Sequence, residues 1–307
     1  MKIALPDLVS NSYFPAIAAI ELGFFKEQGL DATHELIFPV PDAFAALADG
    51  KVDLVAGSAH APLMAFPRWR GCKLVSALSQ GMYWFLVVRA NLGIERGDLA
   101  ALGGLRIGAA RGVDVGLRRL LVEAGIDIEA ENIDIGPLPG GVPPGVSFGV
   151  TAAKALADGT IDGFWANGMG AEMAVVSGIA SVVIDVRRGD GPPSAFRFTQ
   201  PTLVATDRLI EDAPEAVAGA VRAIVATHNA LKADTGLATE VGRKLYPAKE
   251  AGLIARLIER DLPFYDATIS EEFVAGMSAF AEAAGMLDAP VPYEHIVATR
   301  FADLWRG

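Results

Sequence analysis

The stretch Ala46-Leu47-Ala48-Asp49-Gly50-Lys51-Val52-Asp53 returns nearly letter for letter as Ala155-Leu156-Ala157-Asp158-Gly159-Thr160-Ile161-Asp162. Each copy reads as the end of an apolar helix, an Asp-Gly stop and the first residues of a strand. A glycine just past the last periodic residue takes the left-handed conformation that closes a helix at no steric cost. Two copies about a hundred residues apart predict two similar α/β units and not a solenoid, whose repeats recur every ~20 to 50 residues.

Working outward from the first copy, residues 3–5 form a short apolar strand, followed by Ser10-Asn11-Ser12 and an apolar helical stretch over 16–25 that stops at Gly29. A strand at 35–38, a turn at Pro39-Val40-Pro41-Asp42, a helix at 43–48 and a strand at 52–56 complete a βαβαβ unit. Around the second copy the order returns, with a strand at 105–109, a turn at Gly112-Val113-Asp114, a helix at 115–124 and a stop at Gly125. Residues 83–89 and 196–206 read as two strands joining the lobes, which is the arrangement of a hinge. Past Arg208, apolar residues keep helical spacing over 216–231, 250–260, 271–284 and 296–305, with Asp212-Ala213-Pro214 opening the first of these helices. The expected fold is α/β and two-lobed, each lobe a mixed sheet flanked by helices. Residues 1–84 with 203–307 make lobe 1, and 85–202 make lobe 2.

Composition narrows the function. A chain of 307 residues, 52% hydrophobic and 21% charged, can bury two cores. Its net charge of -11 repels polyanions, so nucleic acid and anionic lipid are excluded as main partners. Cys72 stands alone and offers neither a disulfide nor a cysteine cluster. His34, His60, His228 and His295 have no metal-ligand spacing, so neither metal nor cofactor is expected. No run approaches the ~18 apolar residues of a spanning helix, and the opening Met1-Lys2-Ile3-Ala4-Leu5 is too short for a secretory signal. A signal removed ahead of Met1 would place the chain in the periplasm; without one it is cytoplasmic. Neither a Gly-x-Ser-x-Gly elbow nor a Walker loop nor a dinucleotide fingerprint is present.

In open α/β sheets a ligand lies beyond the carboxyl ends of the strands. The loops that meet this condition are residues 10–13, 39–42 and 57–60 in the first lobe, and 111–114 and 165–168 in the second. Facing each other across a hinge, they would form a closing cleft. Ser12 either donates to a ligand or caps the following helix. His60 is the best titratable candidate, although a lone histidine near a helix start is more often structural. Arg111 can grip a carboxylate or sulfonate in bidentate fashion, or lie solvated on the surface. Gly112 and Asn167 belong to the same second-lobe loops. Trp165 is the preferred wall for a planar ligand, with Tyr83 and Trp84 nearby, although buried aromatics usually serve a core. Arg68 and Arg70, flanking Trp69, read as a surface turn.

The run Ser12-Tyr13-Phe14-Pro15-Ala16-Ile17-Ala18, then Leu22-Gly23-Phe24-Phe25-Lys26-Glu27-Gln28-Gly29-Leu30, resembles the opening of periplasmic binding proteins of the type 2 fold for nitrate, sulfonates, taurine and thiamine-type pyrimidines. The segment 46–53 followed by Gly57-Ser58 resembles them too. The resemblance implies substrate capture for an ABC importer and, by position, brings Asn11, Ser12, Tyr13, Gly57, Ser58 and His60 to the ligand. Where many relatives carry glycines, this chain has Phe38-Pro39-Val40-Pro41, so Pro39 implies a stiffer and more apolar wall. The expected partners are a small organic ligand, aromatic or heteroaromatic and anionic, and an ABC permease if the chain is exported. Enzymes that resemble the same fold supply the alternative, a cytoplasmic lyase such as a decarboxylase of aromatic acids, with His60 as proton donor and Arg111 as carboxylate anchor. An aromatic sulfinate desulfinase places its cysteine nucleophile where this chain has Ser12, so that chemistry is not implied. A ligand sensor is a third class.

Overall fold

The computed structural model describes residues 1–306, which form two compact units: Met1–Gly81 together with the segment from Arg197 onward, and Met82–Phe196. In chain order the strands are β1 (Lys2–Leu5), β2 (Thr33–Leu36), β3 (Leu54–Ser58), β4 (Cys72–Ala77), β5 (Trp84–Arg89), β6 (Arg106–Ala109), β7 (Asp134–Gly136), β8 (Gly163–Asn167), β9 (Ala180–Asp185) and β10 (Pro201–Thr206). Unit 1 holds a five-stranded sheet in the order β2-β1-β3-β10-β4, and unit 2 one in the order β7-β6-β8-β5-β9. In each, three strands run parallel and the fourth is antiparallel to its neighbours, with a register shift at Leu203/Val204 in β10 and at Leu86/Val87 in β5. The strands expected to join the lobes thus sit inside the sheets, β5 in unit 2 and β10 in unit 1.

The duplicated octapeptide has the same local structure in both places. Gly50 and Gly159 take φ of 68° and 72°. Gly50 and Lys51 donate to the carbonyls of Leu47 and Ala46, and Gly159 and Thr160 donate to those of Leu156 and Ala155. This is the paired closure that satisfies the last carbonyls of a helix through a left-handed residue. Each closing aspartate then fastens the next strand to its neighbour. Asp53 Oδ2 accepts from the backbone of Lys2 at 2.7 Å, and Asp162 Oδ2 accepts from that of Arg106 at 2.9 Å.

Several boundaries differ from the periodicity. The stretch 16–25 is broken at Gly23, whose φ of 87° ends the helix Phe14–Glu21 and starts the short helix Phe24–Glu27. The expected turn at 39–42 is the first turn of the helix Val40–Ala48, where prolines are tolerated because their missing N–H would be unpaired in any case. The Phe38-Pro39 bond ahead of it is cis. The segment 296–305 divides into the short helix Tyr293–Ile296 and a tighter 3-10 turn, Thr299–Arg306, with Trp305 Nε1 donating to the carbonyl of Val75 at 2.9 Å. Residues 196–200 are not strand, and extended pairing starts only at Pro201. Trp69 is buried, unlike the exposed Arg70 beside it.

Unit 1's core packs the apolar faces of Phe14–Glu21, Val40–Ala48 and Pro214–Ala233 on its sheet. Gly57 permits the closest of these contacts, because a Cβ there would lie 3.0 Å from Cζ of Phe44. In unit 2 the helices Phe148–Ala157 and Gly168–Val176 touch through two glycines, and a Cβ on Gly170 would sit 2.6 Å from the Cα of Gly149. Among the described residues no helix is long and apolar enough to cross a membrane.

Candidate functional site

In unit 1, β1 and β3 are parallel, so the loops that follow them leave from one edge of the sheet. Because β10 runs antiparallel to β3 with Pro201 opposite Ser58, Thr199 and Gln200 reach that same edge, and the Gln200 carbonyl accepts from Ala59 N at 2.9 Å. Asn11, Ser12, Ser58, His60, Thr199 and Gln200 are all buried there. On four of these residues buried side-chain atoms have no hydrogen-bond partner: Asn11 Oδ1, Ser12 Oγ, Thr199 Oγ1, Gln200 Oε1 and Gln200 Nε2. Buried polar groups are rarely left unpaired, since each costs ~1–3 kcal/mol. Such a collection at strand carboxyl ends is the mark of a surface that completes its hydrogen bonds with something else.

The framework behind these atoms is fixed. Asn11 Nδ2 donates to Asp261 Oδ2 at 2.7 Å, and Asp261 ends the helix Ala248–Asp261 with the Arg260 Nε 3.9 Å from its other oxygen. The Ser12 amide donates to Ser10 Oγ at 3.1 Å, and the Tyr246 hydroxyl lies 3.5 Å from the Ser10 carbonyl. Burial, with the charge of Asp7 second, pushes the Tyr246 phenol well above its ordinary range, so it stays a neutral donor. Ser12 does not cap the helix: Tyr13 is at the cap position with no side-chain bond, which leaves the Ser12 hydroxyl available. The His60 ring stands edge-on to Phe280 at 5.4 Å, and Phe280 stacks on Phe198 at 4.7 Å. Tyr13 is buried at the start of Phe14–Glu21, Gly57 and Ser58 end β3, and Pro39 is half-buried before Val40–Ala48.

Unit 2 has a corresponding edge. Since β6 and β8 are parallel and Trp84 pairs with Asn167, the residues after β6, the end of β8 and the start of β5 meet there. Trp165 is fully buried with Nε1 unpartnered, and its ring lies 6.0 Å from Trp84, which in turn lies 4.9 Å from Tyr83. Asn167 spends its Oδ1 on Met169 N at 3.0 Å, capping Gly168–Val176. Gly112 N is held by Asp114 Oδ1 at 3.0 Å, and Arg111 is exposed.

Three residues of these edges are absent from the sequence reading. Thr199 and Gln200 fell inside a segment read as one strand over 196–206; the available signal was Pro201, which cannot donate to a ladder and so favours a strand's first position. Arg187 follows β9, a strand that periodicity did not reveal. It is buried with its guanidinium 5.9 Å from the Tyr83 ring centre, and so is the buried cation of this edge, whereas Arg111 is exposed. Among the described residues, no group of three or more His, Cys, Asp and Glu converges as a metal site.

Residues 10–234 match a family model described as "NMT1/THI5 like". No curated protein sequence matches the chain. Among solved structures, it is similar to the alkanesulfonate-binding protein SsuA from Xanthomonas axonopodis pv. citri bound to MOPS, with a TM-score of 0.70 and 16% identity over 98% of this chain and 96% of that one. It is similar to the periplasmic nitrate-binding protein NrtA from Synechocystis PCC 6803, with a TM-score of 0.71 and 12% identity over 99% and 86%. A cysteine-to-serine mutant of the desulfurization enzyme DSZB in complex with biphenyl-2-sulfinic acid gives 0.66 and 15% over 98% and 97%. At such identities the likeness is one of fold: two mixed five-stranded sheets flanked by helices, as in type 2 periplasmic binding proteins.

Proposed function

Because the chain belongs to the NMT1/THI5-like family, we propose that it is a substrate-binding protein that captures a small organic molecule and delivers it to an ABC importer. The observation that carries this reading is the set of buried, unpartnered polar atoms on Asn11, Ser12, Thr199 and Gln200. They are interactions held in reserve, and a ligand that meets them recovers their cost. Unit 2 contributes different chemistry, an aromatic group of Tyr83, Trp84 and Trp165 with Arg187 against it. That set suits a ring-bearing group with an anionic part for Arg187. The sulfonate- and nitrate-binding neighbours support the transport role at the level of fold. Export would place the chain in the periplasm.

A lyase on the same fold is the second reading. It is favoured by one observation, that His60 is completely buried on the edge that carries Ser12, where a proton donor could act away from water. One experiment separates the two: native mass spectrometry of the purified protein, then thermal shift with aromatic acids, sulfonates and pyrimidines. A ligand that raises the melting temperature and is recovered unchanged supports capture. A hit returned without its carboxylate overturns it in favour of the lyase.

A further inference from the structure

Unit 1's open hydrogen-bonding set is specific in kind. Asn11 is oriented by Asp261: exchanging its amide oxygen and nitrogen would set two acceptors 2.7 Å apart, so Nδ2 faces the carboxylate and Oδ1 is presented as an acceptor. Gln200 has both ends unpartnered, and either orientation of its amide offers one acceptor and one donor. The hydroxyls of Ser12 and Thr199 can play either part. The set therefore contains two atoms that only accept, one group that only donates, and two that adapt.

A nitrate, sulfonate or carboxylate carries lone pairs alone. It would satisfy the donor and the hydroxyls, but it would turn those lone pairs toward Asn11 Oδ1 and Gln200 Oε1 and leave both buried acceptors unmet. The buried Asp261 carboxylate directly behind Asn11 adds to the mismatch, though Arg260 offsets part of its charge. Resting on the binding function proposed above, we infer that the ligand group accepted by unit 1 is neutral and carries an N–H or O–H donor beside its acceptor, as a carboxamide or lactam does, and is not a bare oxyanion. Thr199 and Gln200 with Asn11 are then the specificity-determining residues of this unit, and a ligand's anionic part belongs elsewhere.

The test holds the ring constant and changes the head group. The full chain is titrated calorimetrically with benzamide, benzoate and benzenesulfonate, and the titrations are repeated with Gln200→Leu and with Gln200→Met, which both remove the acceptor, using whichever melts cooperatively. The expected result is benzamide bound about tenfold or more tighter than either anion, the equivalent of one buried acceptor met against one unmet. That preference should fall to within about threefold in the variant. Benzoate or benzenesulfonate binding as tightly as benzamide, or a preference unchanged by the substitution, overturns the inference while leaving binding intact. Failure of all three at millimolar concentration removes the binding reading and the inference together.

Discussion

The contact between Gly149 and Gly170 is the sharpest test of the packing that holds unit 2's edge in place. Gly170 lies in the helix that Asn167 caps, so its seat fixes where β8 ends and where Trp165 stands. A Cβ at Gly170 would meet three backbone atoms of Gly149, at 2.6, 2.8 and 2.8 Å. Comfortable carbon contacts begin near 3.5 Å, so the helices must part by about 1 Å, and no rotamer relieves a clash with backbone. Overpacking of this kind costs ~1–3 kcal/mol, and alanine's better helix propensity returns at most ~1 kcal/mol, so Gly170→Ala should lose ~1–2 kcal/mol. Gly252 is the control: it sits in the helix Ala248–Asp261, is exposed, and has nothing within 4 Å of a built Cβ. Gly252→Ala should gain ~0.5–1 kcal/mol from propensity alone. Urea unfolding followed by circular dichroism and tryptophan fluorescence reads both variants on one scale. A Gly170→Ala protein as stable as the parent, or shifted like Gly252→Ala, would refute the inferred close approach.

Three further outcomes follow from buried groups. His228 donates from Nε2 to the Leu78 carbonyl at 2.7 Å and stacks on Tyr265 at 5.1 Å, and burial lowers its pKa to about 4. The unfolded chain therefore takes this proton first, and stability is full above the unperturbed value near 6.5 and declines as pH falls toward 4, by roughly 3 kcal/mol in all; His228→Gln should flatten that part of the stability-pH curve. Asn11→Asp would set a second carboxylate against buried Asp261, costing ~1–3 kcal/mol at pH 7 and recovering on acidification as one of the pair gains a proton, which urea midpoints at pH 7 and pH 5 would show. Cys72 is buried at the start of β4 and its thiol is pushed far up by burial and then by the charge of Asp207. It should ignore a thiol reagent in the native protein and react in step with unfolding.

Much of the architecture was legible because it rests on local rules. The Asp-Gly stops at residues 49–50 and 158–159 fix the helix-to-strand corners of both units through backbone conformation alone. Hydrophobic periodicity located most of the long C-terminal helices, while the tail after Ile296 tightened into a 3-10 turn under the pull of packing on β4, which periodicity does not report. The unit 1 edge was half legible. Asn11, Ser12, Ser58 and His60 follow strands with clear turn signals, but Thr199 and Gln200 arrive from about 140 residues downstream by way of the antiparallel β10. In unit 2, Arg187 depends on β9, whose pairing with β5 is a tertiary fact. Ser12 illustrates the limit from the other side: its residue type suits a helix cap, and only the start of the helix one position later frees its hydroxyl.

The placement of β10 between β3 and β4 bears on how the chain is made. Unit 2 is continuous in sequence and holds all its strands by the time residue 185 has left the ribosome. Unit 1 cannot zip its sheet until residue 206 emerges, because the strand that bridges its two N-terminal pieces is the last one synthesised. The usual vectorial order, first domain first, is thereby inverted: the opening 81 residues can pair β1 with β2 and β3, but the edges of β3 and β4 that face β10 stay unpaired while the middle of the protein folds ahead of them. Slow translation ahead of residue 206 would lengthen the exposure of those two edges.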